Sequence, residues 1–198
     1  MSAATASEPT STSSDRRASW LAEAERIDLA VYAAVANTPT PRLDQAMRRL
    51  SRAADYSRLS IASGVLLAVA GGARGRRAAA TGLTSVAAAA MSVNLVVKPF
   101  GRRPRPDRAT QNVRVTRQVR MPASRSFPSG HTAAAVAFAR GVGTVMPVAG
   151  VPLHLLSTMV AYSRVHTGVH YPGDVMAGAL LGAVIADLTA GLSASGRD

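Results

Sequence analysis

Apolar residues in this chain come in runs and at helical spacing, never in strict alternation, so the pattern predicts helices and no sheet. Residues 1–17 are rich in Ser, Thr and Ala without apolar periodicity and read as a disordered polar tail. From Trp20 to Ala36, Leu21, Ala24, Ile27, Val31 and Val35 recur at roughly helical spacing. They predict an amphipathic helix suited to a membrane interface, ended by Thr38-Pro39-Thr40-Pro41. Leu43–Ala54 reads as a second short helix with Arg48, Arg49 and Arg52 exposed. The character then changes. Leu59–Ala73 is uncharged, Arg74-Gly75-Arg76-Arg77 interrupts, and Ala78–Val97 is a second uncharged run of bilayer-spanning length. A polar, arginine-rich segment follows from Lys98 to Arg125. Three further apolar stretches are Ser129–Met146, Val148–Ser163 and Val175–Leu192, the first two joined at Pro147. The fold class expected is an all-α, membrane-embedded bundle of about six helices, about five of them transmembrane. Residues 18–58 would form amphipathic N-terminal helices and 59–195 the membrane domain.

Composition sharpens this. Alanine is abundant and aromatics are few, which suits closely packed helices. Cysteine is absent, so thiol chemistry and Cys-ligated metals are excluded. The formal net charge is +12, and Lys98 is the single lysine among 23 basic residues. Such a balance fits an anionic substrate or membrane surface. A nucleic-acid partner is not expected, because the uncharged runs are long and no nucleic-acid-binding motif is present. Arg140 lies inside an apolar run and is expected to snorkel away from His131 toward the opposite surface.

Three polar clusters stand where apolar runs begin or end: Lys98 to Pro106, Pro128-Ser129-Gly130-His131, and Ser163 to Asp174. Two spans joined by a short turn put their far ends on one side, so the second and third clusters share a face. Lys98 closes the preceding span into the same loop system. One site can therefore hold Lys98, Arg105, Arg164, Ser129, His131, His170 and Asp174. The parts suit phosphoryl transfer, in which a protein mainly positions and neutralises the moving group. Arginine forks match phosphate oxygens, and lysine adds a point charge. Ser129-Gly130 at a helix start offers N–H groups to an anion. A histidine held by a carboxylate can attack, and a second histidine can handle the leaving group's proton.

The clusters resemble the signature of the type 2 phosphatidic acid phosphatase superfamily: Lys, six residues, Arg-Pro; Pro-Ser-Gly-His; Ser-Arg, five residues, His, three residues, Asp. Lys98, Arg105-Pro106, Pro128 to His131, Ser163-Arg164, His170 and Asp174 fill all eleven fixed positions in order. The region also resembles the phosphatase half of actinobacterial phosphatase/lipid-kinase fusions. The resemblance implies that His170 is the nucleophile, Asp174 its orienting carboxylate and His131 the general acid and base. Lys98, Arg105, Ser129, Gly130 and Arg164 would bind phosphate. It implies no cofactor and no metal, and substrates that are lipid phosphate monoesters or isoprenyl diphosphates in contact with membrane lipids. It also implies a multi-pass cell-membrane protein with its site outside the cytoplasm. The charge distribution argues against that side, since residues 98–125 carry nine basic groups. The alternatives are an inactive structural membrane protein of this fold and a vanadate-binding, haloperoxidase-like enzyme.

Other residues have plainer readings. His154 among leucines is a hydrogen-bonded interior histidine. His166, His170 and Asp174 are spaced by four, which an unbroken helix would turn into a metal face, but Gly168, Pro172 and Gly173 break it. Arg102, Arg103, Arg108, Arg114, Arg117 and Arg120 are expected to be solvated or to face headgroups. Ser163 is either a phosphate neighbour or a helix-end hydrogen bonder.

Overall fold

The computed structural model describes residues 13–195, so the expected tail falls outside it up to residue 12. Helix α1 (Ser13–Asn37) already takes in the tail's last residues. It is followed by α2 (Pro41–Ala53), a 3₁₀ turn (Asp55–Ser57), α3 (Arg58–Ala70) and α4 (Gly72–Met91). A π-helical segment (Ser92–Val97) and a single turn α5 (Lys98–Phe100) extend α4 into a long irregular loop. That loop contains one 3₁₀ turn, Val115–Arg117. The chain ends in α6 (Gly130–Val145), α7 (Pro147–His166) and α8 (Pro172–Ser195). Seven helices have thirteen residues or more, against about six expected, and no strand occurs among the described residues.

Helices α3, α4, α6, α7 and α8 form an up-and-down bundle. The α3–α4 turn falls at Gly71-Gly72, not at the arginine cluster. Gly72 takes φ +58°, which glycine reaches at little cost. Arg74, Arg76 and Arg77 thus lie in the first two turns of α4, and Arg74 Nε donates to Val145 O at 3.0 Å. The α3–α4 turn and the α6–α7 turn therefore share one end of the bundle, opposite the polar clusters.

Small residues fill the interior: Ala78, Ala89, Ala133, Ala137 and Ala186 are buried. Large apolar residues point outward, as with Met176, Leu180, Val184, Leu188 and Leu192 along α8 and Ile61, Val65, Leu66 and Val69 on α3. Water gives no reason for that arrangement, whereas lipid does, because small residues let helix backbones approach and apolar ones face the chains. At α6 against α8 the approach is extreme. A Cβ on Gly178 would lie 2.5 Å from Ser129 O, and one on Gly182 would lie 2.3 Å from Ala133 O. Two helices, those over residues 72–100 and 172–192, are long and apolar enough to cross a membrane.

The stripe Leu21, Ile27 and Val31 on α1 is exposed, and the helix packs through Asp28, Tyr32 and Ala36, because Tyr32 meets the Tyr171 ring edge-on at 5.3 Å and Asp28 finds cationic and N–H partners. Two expectations need correction. Arg140 does not simply snorkel. Its guanidinium forms a two-pronged pair with Asp187 of α8, at 2.7 and 2.9 Å. Arg117 is fully buried rather than solvated. It pairs with Asp44 at 2.7 Å and donates to the carbonyls of Val35, Ala36 and Thr38, capping the C-terminus of α1.

Candidate active site

All eight residues expected at the site lie at the same end of the bundle. The π-helical segment swings Lys98 inward from the end of α4, where Nζ donates to Ser124 Oγ at 3.1 Å. The ammonium also sits 3.8 Å from the point where a Gly130 side chain would begin. Arg105 is held from its outer side by Ser124 O (Nε, 2.7 Å) and by Val169 O (Nη1, 2.7 Å). Its Nη1 then reaches His170 Nε2 at 3.2 Å. Arg164, in the last turn of α7, is buried. Its Nη1 donates to Ser51 Oγ at 2.6 Å, and its Nε–H has no partner, a donor left for an anion. Ser129 caps α6, with its Oγ bonded to Thr132 Oγ1 at 2.9 Å, so the free N–H groups of the first turn face the same space.

His170 stands in the α7–α8 turn, where Gly168 takes φ +69° and lets the chain fold back on Arg164 O. Its Nδ1 lies 3.6 Å from Asp174 Oδ2, beyond direct hydrogen-bond length. The Ser126 hydroxyl stands beside both, 3.5 Å from Nδ1 and donating to Asp174 Oδ2 at 2.5 Å. Asp174 is itself fixed by Tyr171 N (2.9 Å) and Arg103 Nη1 (3.2 Å). Arg103 in turn pairs with Asp28 of α1 at 2.5 Å. Burial pushes the His170 pKa down to about 4; the Asp174 carboxylate opposes the shift, and the charges of Arg105 and Arg164 add to it. The imidazole is therefore neutral at pH 7, with Nδ1 toward the carboxylate side and Nε2 toward the guanidinium.

His131, in the first turn of α6, bonds through Nε2 to Asp55 Oδ1 at 3.0 Å. Beside it two cavities open. One, of 410 Å³, runs from Lys98, Gly130 and His131 past Tyr56, Ser57, Ser60 and Asn94 to Ala134, Ala135 and Val160. The other, of 370 Å³, lies on the polar side among Asp55, Arg120 and Ala123.

His166 is not part of this arrangement. Its Nε2 is 3.1 Å from Asp44 Oδ1, and no group of three metal-binding side chains occurs among the described residues. Ser163 donates to Val160 O at 2.6 Å, the helix-end reading. His154 bonds Gly150 O at 3.1 Å, as an interior histidine does. Arg103 and Arg108 are drawn into the site's supports rather than solvated; Arg108 Nη1 donates to Val119 O at 2.9 Å. Sequence reasoning missed Asp28, Ser51, Asp55, Ser124 and Ser126. None belongs to a motif. The one available signal was scarcity, since the whole chain has 11 acidic residues and five of them, Glu23, Glu25, Asp28, Asp44 and Asp55, fall in the N-terminal segment 18–58.

Comparison with known proteins agrees with this geometry. The PAP2 superfamily model matches residues 79–194. Decaprenylphosphoryl-5-phosphoribose phosphatase of Mycobacterium tuberculosis is 39% identical over 100 residues, 48% of this chain; the match spans only about half, 51%, of that relative's length. The protein of the same name from Mycolicibacterium smegmatis is 36% identical over 154 residues, covering 76% of this chain and 78% of its own. Among solved structures, Aquifex aeolicus LpxE superposes with a TM-score of 0.68 at 24% identity, over 82% of this chain and 94% of its own. The transmembrane phosphatidylglycerolphosphate phosphatase of Bacillus subtilis gives 0.64 at 23% identity, over 87% of each chain. These two share the fold. With every signature residue gathered at one end of that fold, the chain belongs to the PAP2 superfamily.

Proposed function

We propose that this chain hydrolyses a lipid phosphate through a phosphohistidine formed on His170. The observation that carries the reading is the polarity of the His170 ring. Nδ1 faces Asp174 and Ser126, while Nε2 faces Arg105 Nη1 at 3.2 Å, where a phosphate oxygen would be held. Lys98, Arg105, Arg164 and the start of α6 would share the charge of the equatorial oxygens, so no metal is needed for that task. His131 would protonate the leaving oxygen and then activate water. The groove below Lys98 and His131 suits the leaving group. Hydroxyls and an amide (Tyr56, Ser57, Ser60, Asn94) come first and apolar residues follow. A lipid-linked sugar phosphate, the class named for the mycobacterial relatives, fits that order and is the first substrate to try.

Five helices would cross the membrane. The resemblance favours an extracytoplasmic site, but α1 and α2 lie on the site's side. They add exposed Arg26, Arg42, Arg49 and Arg52 to the exposed Arg102, Arg114, Arg120 and Arg125, against Arg74, Arg76 and Arg77 at the other end. None of those eight is needed for phosphate, so the positive-inside bias supports a cytoplasmic site, which we adopt over the earlier expectation.

The test of the chemistry is rapid quench with labelled lipid phosphate. Acid-labile, base-stable label should accumulate on wild-type protein and be absent from His170→Ala. Label on the His170→Ala variant, or none on an active wild type, removes His170 as nucleophile.

A further inference from the structure

The geometry points to Asp55 as the positioning residue of the general acid, a second carboxylate–histidine pair beside that of His170. This rests on the phosphatase reading above. Asp55 lies outside the region matched by the superfamily model, residues 79–194, and outside every motif of the sequence.

Three observations converge on it. First, Asp55 Oδ1 lies 3.0 Å from His131 Nε2, and no other carboxylate contact is recorded for that ring among the described residues. Second, the same oxygen is 3.8 Å from Arg164 Nη1, which is already tied to the hydroxyl and carbonyl of Ser51. One short segment, residues 51–55, therefore fixes both His131 and Arg164. Third, the chain accepts strain to put Asp55 there. Tyr56 and Ser57, neither of them glycine, both have φ +56°. Such conformations are costly for residues with a side chain and persist only where surrounding contacts hold them.

The chemistry explains the need. A general acid must carry a proton, yet His131 is held back first by burial and then by the nearby cations Arg164, Lys98 and Arg105. A carboxylate on Nε2 fixes the ring and its tautomer. Nδ1 is then the nitrogen that exchanges protons. In the first step His170 Nε2 bonds to phosphorus, the phosphorus–oxygen bond to the leaving group breaks, and His131 Nδ1–H passes to that oxygen. In the second step Nδ1 takes a proton from water as the water oxygen bonds to phosphorus and the phosphorus–nitrogen bond breaks. Through both steps Asp55 keeps its hold on Nε2–H.

The experiment compares two phosphate esters on purified full-length protein. A lipid phosphate has a poor alkoxide leaving group that requires a proton, whereas 4-nitrophenyl phosphate has a good one that does not. Asp55→Asn keeps the size and an acceptor but loses the charge. It should lower the first-turnover rate on the lipid ester on the order of 10²-fold, the low end of what general acids contribute, and change little the first-turnover burst of 4-nitrophenolate, the one step that needs no proton from His131. The basic limb of the pH–rate profile should move to lower pH. Asp55→Asn combined with His131→Ala should be no slower than His131→Ala alone. An undiminished first-turnover burst of 4-nitrophenolate also shows that the variant is folded. Equal losses on both esters, losses that multiply in the double variant, or a faster Asp55→Asn enzyme would overturn the assignment; the last would make Asp55 a plug of the phosphate site. Wild-type protein inert on both esters would sink the phosphatase reading itself, a different result from any of these.

Discussion

Gly178 offers a severe test of how the site depends on helix packing. Replacing it with alanine adds one carbon, 2.5 Å from Ser129 O and 3.3 Å from the Ser129 carbonyl carbon. Carbon and carbonyl oxygen rest at about 3.3–3.6 Å, so α6 and α8 must part by about 1 Å. Both neighbours are backbone, so no side chain can rotate away. Overpacking of this kind costs about 1–3 kcal/mol. For a chain of this size each kcal/mol shifts Tm by roughly 2–4 °C, giving a loss of roughly 2–12 °C. The displacement also acts one helical turn from Asp174, whose carbonyl accepts the Ser129 N–H at 2.9 Å. A misplacement near 1 Å can reduce kcat/KM by as much as roughly 10²-fold. Gly191→Ala is the control, because its Cβ would meet nothing within 4 Å. It should leave activity alone and hold or raise Tm, alanine being about 0.5–1 kcal/mol the better helix former. Calorimetry in detergent and lipid phosphatase assays on both variants decide the matter. If Gly178→Ala matches Gly191→Ala in both, the close contact is not what sets the site.

Two further outcomes follow from burial and from charge. His170 has its pKa lowered to about 4 by burial, against about 6.5 unfolded, so only the unfolded chain takes up this proton between those values. Stability is therefore intact above pH 6.5 and lost as pH falls toward 4, by up to about 3 kcal/mol from this group. Wild-type Tm should fall relative to His170→Asn over that window, and a constant difference would show that His170 is not held neutral. For sidedness, the chain has no native cysteine, so single cysteines at Ala109 and Ala73 report directly. Gly75 is unsuitable, since any side chain there meets Leu67 O. With a cytoplasmic site, an impermeant thiol reagent on intact cells labels Ala73→Cys and spares Ala109→Cys; the reverse places the site outside.

The bundle was legible because span length and charge interruption are local properties, and the eleven signature positions named most of the residues gathered at the polar end of the bundle. What escaped the sequence is what depends on tertiary placement. The arginine cluster at 74–77 looked like a break, yet arginines are good helix formers and the turn belongs to Gly71-Gly72. Arg117 looked like one more surface arginine. Only the fold shows it capping α1, with Asp44 and the buried His166 around it. Asp174 stands beside His170, but the 3.6 Å gap and the Ser126 hydroxyl beside it could not be read from spacing. Asp187 passed as part of an apolar run until its pairing with Arg140 appeared.

The N-terminal helices show why the superfamily match begins late and the site does not. Residues 79–194 contain every motif, but Asp28, Ser51 and Asp55 reach the same end of the bundle from outside that range. Through them Arg103, Arg164 and His131 gain partners that the matched region does not supply. Asp44 does the same for Arg117 and His166, and there both members of the ion pair are buried. Removing one member of a buried pair costs about 3–5 kcal/mol, because the other charge is left without compensation. Total stabilities run at about 5–15 kcal/mol, so the loss of Asp44 alone would consume a large part of what holds the site end together. The physical unit that carries the chemistry therefore includes α1 and α2, although no signature residue lies in either.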